Sequence, residues 1–274
     1  MPNLSDLPKL PPAKFIRIGA FTSAYFVLGP QDGRPLMLCH GLAASSLQFV
    51  QDAHFYAEQG YRVIVPDLRG HGRSTCPDQR QDDDFSIKNL ATDLIAILNR
   101  EGVEAIDWVG NSLGGIVALY LMGSDRARLK KFVSFGTSYA ISVPPFGVNA
   151  FRMMYKILGA KNLASMAAPL TCKRADAKAI IYAMAYHMDV DAVSRIAKHL
   201  GSYDLAHEAL GFDGPMLMIQ GQRDRAVNSA LKPHLPAMDK LPNFTRLSLS
   251  EAGHCANLDQ PEKMRELILG FLGN

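Results

Sequence analysis

Short apolar runs recur along this chain, separated by stretches with helical spacing, and that rhythm sharply limits the folds open to it. Pro35–Cys39, Arg62–Val65, Ile106–Val109, Lys131–Phe135, Met216–Ile219 and Thr245–Leu249 are each a few residues long and rich in branched or aromatic apolar side chains. Most are separated by segments whose apolar residues repeat with a helical period, roughly 10–15 residues each. Strand–helix–strand alternation requires crossover connections, so these runs predict a mainly parallel sheet flanked by helices, an α/β architecture. Phe15–Ile18 and Ser23–Leu28 read as two opening strands with alternating faces.

The helices carry their own punctuation. Gly60 stops a pattern over Leu47–Glu58, Ser86 is placed to cap a helix through Arg100, and Gly102 closes it. Leu113–Met122 follows the strand Ile106–Val109, and Pro261 opens a closing helix to Leu272. The rhythm fails between Phe135 and Met216, a span holding five of the twelve methionines and five of the nine tyrosines. Ile180, Met184 and Met188 share one helical face there, so the span reads as a helical insertion laid over the sheet. The expected organisation is a core from residues 1–137 and 209–274 with a cap from 138–208, which suits a chain of 274 residues.

Composition excludes several classes. Lys+Arg 29 against Asp+Glu 26 is only mildly basic and says little about partners, and the basic stretch Arg126, Arg128, Lys130 and Lys131 lacks interleaved aromatic residues and reads as a solvated loop. Cys39, Cys76, Cys172 and Cys255 follow neither a metal-binding nor a redox spacing, and no window reaches the ~18 apolar residues of a membrane span. With four prolines among the first twelve residues, the N-terminus does not read as a signal peptide. The expectation is a cytoplasmic protein with reduced thiols, with no membrane and no nucleic-acid partner. No cofactor and no metal is implied, since no HExxH, P-loop or GxGxxG is present. Oligomeric state cannot be read from the chain.

The strongest chemical signal is Gly110-Asn111-Ser112-Leu113-Gly114-Gly115, between a strand and a helix. A serine nucleophile needs a sharp strand-to-helix turn, and small residues on both sides make room for it. It also needs a base, and the base an orienting carboxylate. Of the eight histidines, His254 follows the last strand in a loop at the edge where Ser112 should emerge. Asp224, just after Met216–Ile219, is the matching carboxylate. Asp213 precedes that strand and belongs at the opposite edge, and the turn Gly136-Thr137-Ser138 contains no acid.

With those residues in place, the chain resembles the α/β-hydrolase superfamily, as a serine-nucleophile, cap-bearing, esterase-like member. The resemblance runs through His40-Gly41, Asp67–Ser74, Gly110–Gly115, Gly221–Asp224 and Gly253-His254, with serine, acid and histidine in family order. It implies an α/β-hydrolase fold, a catalytic set of Ser112, Asp224 and His254, and an oxyanion hole made by the N–H groups of Leu42 and Leu113. It also implies that Asp67, Arg69 and Ser74 serve a tight turn beside the site. The expected activity is hydrolysis of a small-molecule ester with a small to medium acyl group through an acyl-enzyme. The alternatives are a C–C bond hydrolase of the meta-cleavage type, which Asn111 keeps in play and Leu42-Ala43-Ala44 and Cys255 count against, a lactonase, or a receptor without turnover.

Overall fold

The computed structural model describes residues 7–142, 157–162, 164–166, 168, 172 and 174–273. Eight strands form one sheet: β1 (Lys14–Ile18), β2 (Phe21–Leu28), β3 (Arg34–Cys39), β4 (Tyr61–Pro66), β5 (Ile106–Asn111), β6 (Leu129–Phe135), β9 (Met216–Gly221) and β10 (Phe244–Leu249). Their spatial order is β1-β2-β4-β3-β5-β6-β9-β10. The β1–β2 and β2–β4 pairs are antiparallel and every other pair is parallel. The opening strands do not simply alternate. β1 lies at the sheet edge and is mostly exposed, while β2 is buried along most of its length.

Helices α1 (Val50–Glu58), α2 (Ile87–Arg100) and α3 (Leu113–Ser124) make the first crossovers. Further helices include α4 (Ala175–Tyr186), α5 (Val190–Leu200), α6 (Ala206–Leu210), α7 (Arg225–Leu231), α8 (Leu235–Met238), α9 (Ala256–Asp259) and α10 (Pro261–Gly273). β5 is buried along its whole length, as a central parallel strand must be. Its side chains alternate between two cores. Trp108 packs with Leu94 of α2 and Val117 of α3, whereas Val109 packs with Ala53 of α1 and Ile268 of α10.

Topology decides where a site can form. From β3 the chain first steps outward to β4 and then crosses back to β5 on the other side of β3. Connections therefore leave the carboxyl ends of β3 and β5 in opposite directions and open a crevice there. Cys39 pairs with Gly110 at that end, so the loops beginning at His40 and Ser112 lie side by side.

Between β6 and β9, the span read as helical also contains a small two-stranded antiparallel sheet, β7 (Ala140–Ser142) with β8 (Ser202–Asp204). Ile180 and Met184 are buried on α4, but Met188 falls beyond the end of that helix and packs with Val193 instead. The methionines Met153 and Met154 lie outside the described residues.

Candidate active site

Ser112 has φ 51° and ψ −116°, in the left-handed half of backbone space that a residue with a Cβ rarely enters. Crowding enforces the turn. A Cβ on Gly110 would lie 2.5 Å from the Gly115 nitrogen, and one on Gly114 would lie 2.1 Å from the Cys39 carbonyl oxygen. The Trp108 indole N–H donates to the Gly114 carbonyl at 3.0 Å, and the Ser112 N–H donates to the Phe135 carbonyl at 3.1 Å. The serine is thus strained and held from both sides, as expected where local geometry serves chemistry.

Asp224 caps α7, one carboxylate oxygen accepting from the Val227 N–H at 3.4 Å. Its other oxygen lies 2.8 Å from His254 Nδ1. Arg223 is directed away to Glu251, while its own N–H donates to the Ala252 carbonyl at 3.0 Å and ties the acid's loop to the histidine's. A carboxylate on Nδ1 fixes that nitrogen as the protonated one and leaves the Nε2 lone pair free. Burial is the largest influence on His254 and disfavours the imidazolium, but the hydrogen bond it donates to Asp224, together with the charges of Cys255 and Asp224, offsets this and raises its pKa above the ordinary value.

Asn111 joins the serine's turn to the histidine's loop. Its side-chain NH₂ donates to the carbonyls of His254 at 2.9 Å and Phe135 at 3.1 Å. On the other flank, Ala43 also has a positive φ of 58°. Its N–H donates to His71 Nε2 at 3.1 Å, and the Leu68 N–H donates to His40 Nε2 at 3.0 Å. Burial pushes these histidines down to about 4 for His40 and about 3 for His71, so both stay neutral acceptors. Among the described residues, the N–H groups of Leu42 and Leu113 have no acceptor. Two unspent donors on neighbouring loops are what a developing oxyanion requires.

Asp67 accepts from the Ser46 N–H at 2.7 Å and the Arg73 N–H at 2.8 Å, and Arg69 is paired with buried Asp93. These residues hold a loop. Asp213 pairs with Arg126, next to the loop that enters β6.

A cavity of about 160 Å³ opens onto this edge, lined by Gly41 to Ala44, by Asn111, His254 and Cys255, and by Ile181, Met184 and Ala185 of α4. His254 and the Cys255 thiol are its ionisable side chains among the described residues. The periodicity of α4 marks Met184 as facing inward but not what it faces. A wider groove of about 650 Å³ lies between the β7–β8 pair and α7, and His254, which lines the smaller cavity, is not in its walls. Among the described residues no cluster of histidine, cysteine or carboxylate side chains could hold a metal ion, and no helix is long and apolar enough to cross a membrane.

The fold agrees with comparison to known proteins. The family profile of the α/β-hydrolase fold matches residues 34–167. A RutD protein of Pseudomonas syringae pv. syringae, to which carbamate hydrolysis is ascribed, is 28% identical over 88% of this chain and 94% of its own length. The 2-hydroxy-6-oxononadienedioate/2-hydroxy-6-oxononatrienedioate hydrolase of Paraburkholderia phymatum is 27% identical over 87% of this chain and 86% of its own. The enol-lactonase of Burkholderia xenovorans shares the fold with a TM-score of 0.83 at 20% identity, over 95% of this chain and 100% of that one. The chain belongs to the α/β-hydrolase superfamily.

Proposed function

We propose that this protein is a serine hydrolase that cleaves carboxylic esters with small to medium acyl groups. The observation that carries the reading is the 2.8 Å contact from Asp224 to His254 Nδ1, at the sheet edge that presents the strained Ser112. In this reading Ser112 Oγ attacks the ester carbonyl while His254 Nε2 takes its proton. The N–H groups of Leu42 and Leu113 hold the oxyanion, and loss of one such donor costs about 10²–10³ in rate. His254 then protonates the departing alkoxide. Next it deprotonates a water that attacks the acyl-enzyme, releasing the acid and restoring the serine.

The cavity supports the acyl range. A dry cavity of about 150 Å³ holds benzene, so about 160 Å³ suits an acyl group of roughly that size. The named relative from Paraburkholderia acts on a dienedioate and so favours C–C hydrolysis as the second reading. A dicarboxylate would need a cationic partner to offset its lost hydration. Among the described residues His254 is the lining group that could carry that charge, and as the base it must be neutral to take the serine proton, so a neutral ester or lactone stands first.

A panel of acyl esters, lactones and vinylogous diketone acids, run beside fluorophosphonate labelling with Ser112→Ala as the blank, tests this reading. Labelling and turnover confined to the wild type, with esters or lactones preferred, is the expected result. Turnover retained by Ser112→Ala, or confined to the diketone acids, would overturn it.

A further inference from the structure

Gln48 is 1% exposed and does not line the cavity, yet its amide reaches three segments that frame the candidate site. Its oxygen accepts from the Gly41 N–H at 3.3 Å, in the loop that carries Leu42. Its NH₂ donates to Asn111 Oδ1 at 2.9 Å, beside Ser112, and to Asn257 Oδ1 at 3.2 Å, just after the His254 loop. Asn111 in turn donates to the His254 carbonyl. Asn257 is held by its own donations to the Gln48 carbonyl at 3.1 Å and to Asp52 at 2.8 Å, and Arg265 fixes Asp52 at 2.7 Å.

We infer that Gln48 is a positioning residue that sets the oxyanion-loop, nucleophile and histidine segments in register. No other uncharged side chain of this size accepts one hydrogen bond and donates two from a single planar end. The orientation of its amide is unique. A flip would set NH₂ against the Gly41 N–H and its oxygen against two carbonyl oxygens, leaving buried polar groups unpaired at about 1–3 kcal/mol each. The loops also touch directly, since a Cβ on Gly41 would lie 3.2 Å from that of Ser112. A small shift of Gly41 therefore moves the Leu42 N–H relative to the serine. Donors aimed at a transition state lose most of their value when displaced by a fraction of an ångström.

The role rests on the serine-hydrolase reading for its rate effect but not for its structural effect, so the test has two arms. Gln48→Met keeps the volume and removes the polar contacts, while Gln48→Glu keeps the acceptor and removes both donors. With an ester that the wild type cleaves, each variant should lose kcat by roughly 10²-fold, the scale of one misplaced oxyanion donor, with KM within threefold. Amide hydrogen exchange over 41–44 and 111–113 should quicken in Gln48→Met, whatever the wild-type substrate. Unchanged exchange in these loops, kcat within threefold, or a KM rise that accounts for the lost efficiency would each overturn the proposal. A wild type that cleaves neither ester nor lactone would overturn the serine-hydrolase reading and leave the exchange result to decide the role of Gln48.

Discussion

The sheet edge beneath the cavity and the helical roof above it are held by different forces. At the edge, buried polar groups meet partners of fixed direction: Asn111 on two carbonyls, His71 on the Ala43 N–H, Asp67 on two backbone amides. In the roof, α4 presses Ile180, Ile181 and Met184 against Leu47, Cys255 and Leu258, contacts with no directional demand. Hydrogen bonds weaken steeply with misalignment, whereas apolar packing tolerates volume-conserving exchange and methionine adapts its shape. The comparison teaches that reaction geometry and pocket shape are separately specified. Changes at the edge should alter rate, and changes in the roof should alter choice of substrate.

The largest expected effect tests the edge. Asp224→Asn should cut turnover by about 10⁴-fold, because an amide stabilises neither the required tautomer nor the imidazolium. The fold should survive, since Asn caps a helix about as well as Asp. In the wild type, the base must be neutral to accept the serine proton. Its raised pKa therefore places the acid limb of kcat/KM above the ordinary ~6.5. Residual activity of Asp224→Asn should show that limb displaced to lower pH, because burial then acts without the carboxylate. A limb below 6 in the wild type, or near-normal turnover in the variant, would remove Asp224 from the role.

Next in size is a stability effect confined to the same edge. His40 and His71 are held neutral when folded, down to about 4 and about 3, but take up protons near ~6.5 when unfolded. Between those values the unfolded chain binds more protons, so stability falls as pH falls, by about 1.4 kcal/mol per pH unit for each histidine. Urea midpoints measured from pH 6.5 to 5 should decline in the wild type, and less steeply in His71→Asn. Parallel slopes in the two proteins would show that His71 does not contribute.

The edge was far more legible in the sequence than the roof. The turn at Ser112 announces itself because Gly110 and Gly114 are required by close approach, and strand order puts Asp224 and His254 at the same end of the sheet. Gln48 gave no such sign. It lies in a stretch read as the start of a helix over Leu47–Glu58, but Ser46–Phe49 is a 3₁₀ turn before α1, and its partner Asn257 is 209 positions away. Periodicity reports which face is buried, not what it meets. For the same reason helical spacing carries Met188 onto a face of α4, which ends at Tyr186, and the β7–β8 pairing, joining strands some sixty residues apart, leaves no local trace.

A smaller effect tests the roof. Met184→Ala should widen the cavity and move the preferred acyl chain longer by a carbon or two. Each added CH₂ then gains up to ~0.8 kcal/mol, about fourfold in kcat/KM. Turnover of the shortest esters should change little. A large loss of kcat on every ester would mean that α4 positions the reacting groups, and the separation of edge from roof would fail.

The smallest effect concerns the far flank of the roof. Asp82, in the loop before α2, pairs with Arg195 at 2.5 Å and Lys198 at 2.8 Å, while Arg80 pairs with Asp189 at 2.6 Å and Asp191 at 3.1 Å. These groups fasten α5 to the core, but several stand partly in solvent, where a pair contributes about 0.2–1 kcal/mol. The apolar contacts of α4 carry no charge and are not screened. Asp82→Asn should therefore lower unfolding stability by under ~1 kcal/mol at low salt, and the difference should vanish near 1 M salt, where the screening length is about 3 Å. Wild-type kcat/KM should change by less than about twofold over that range, while amide exchange quickens across 190–200. A collapse of turnover with added salt would mean that the ion pairs, rather than Ile181 and Met184, hold the roof over the cavity.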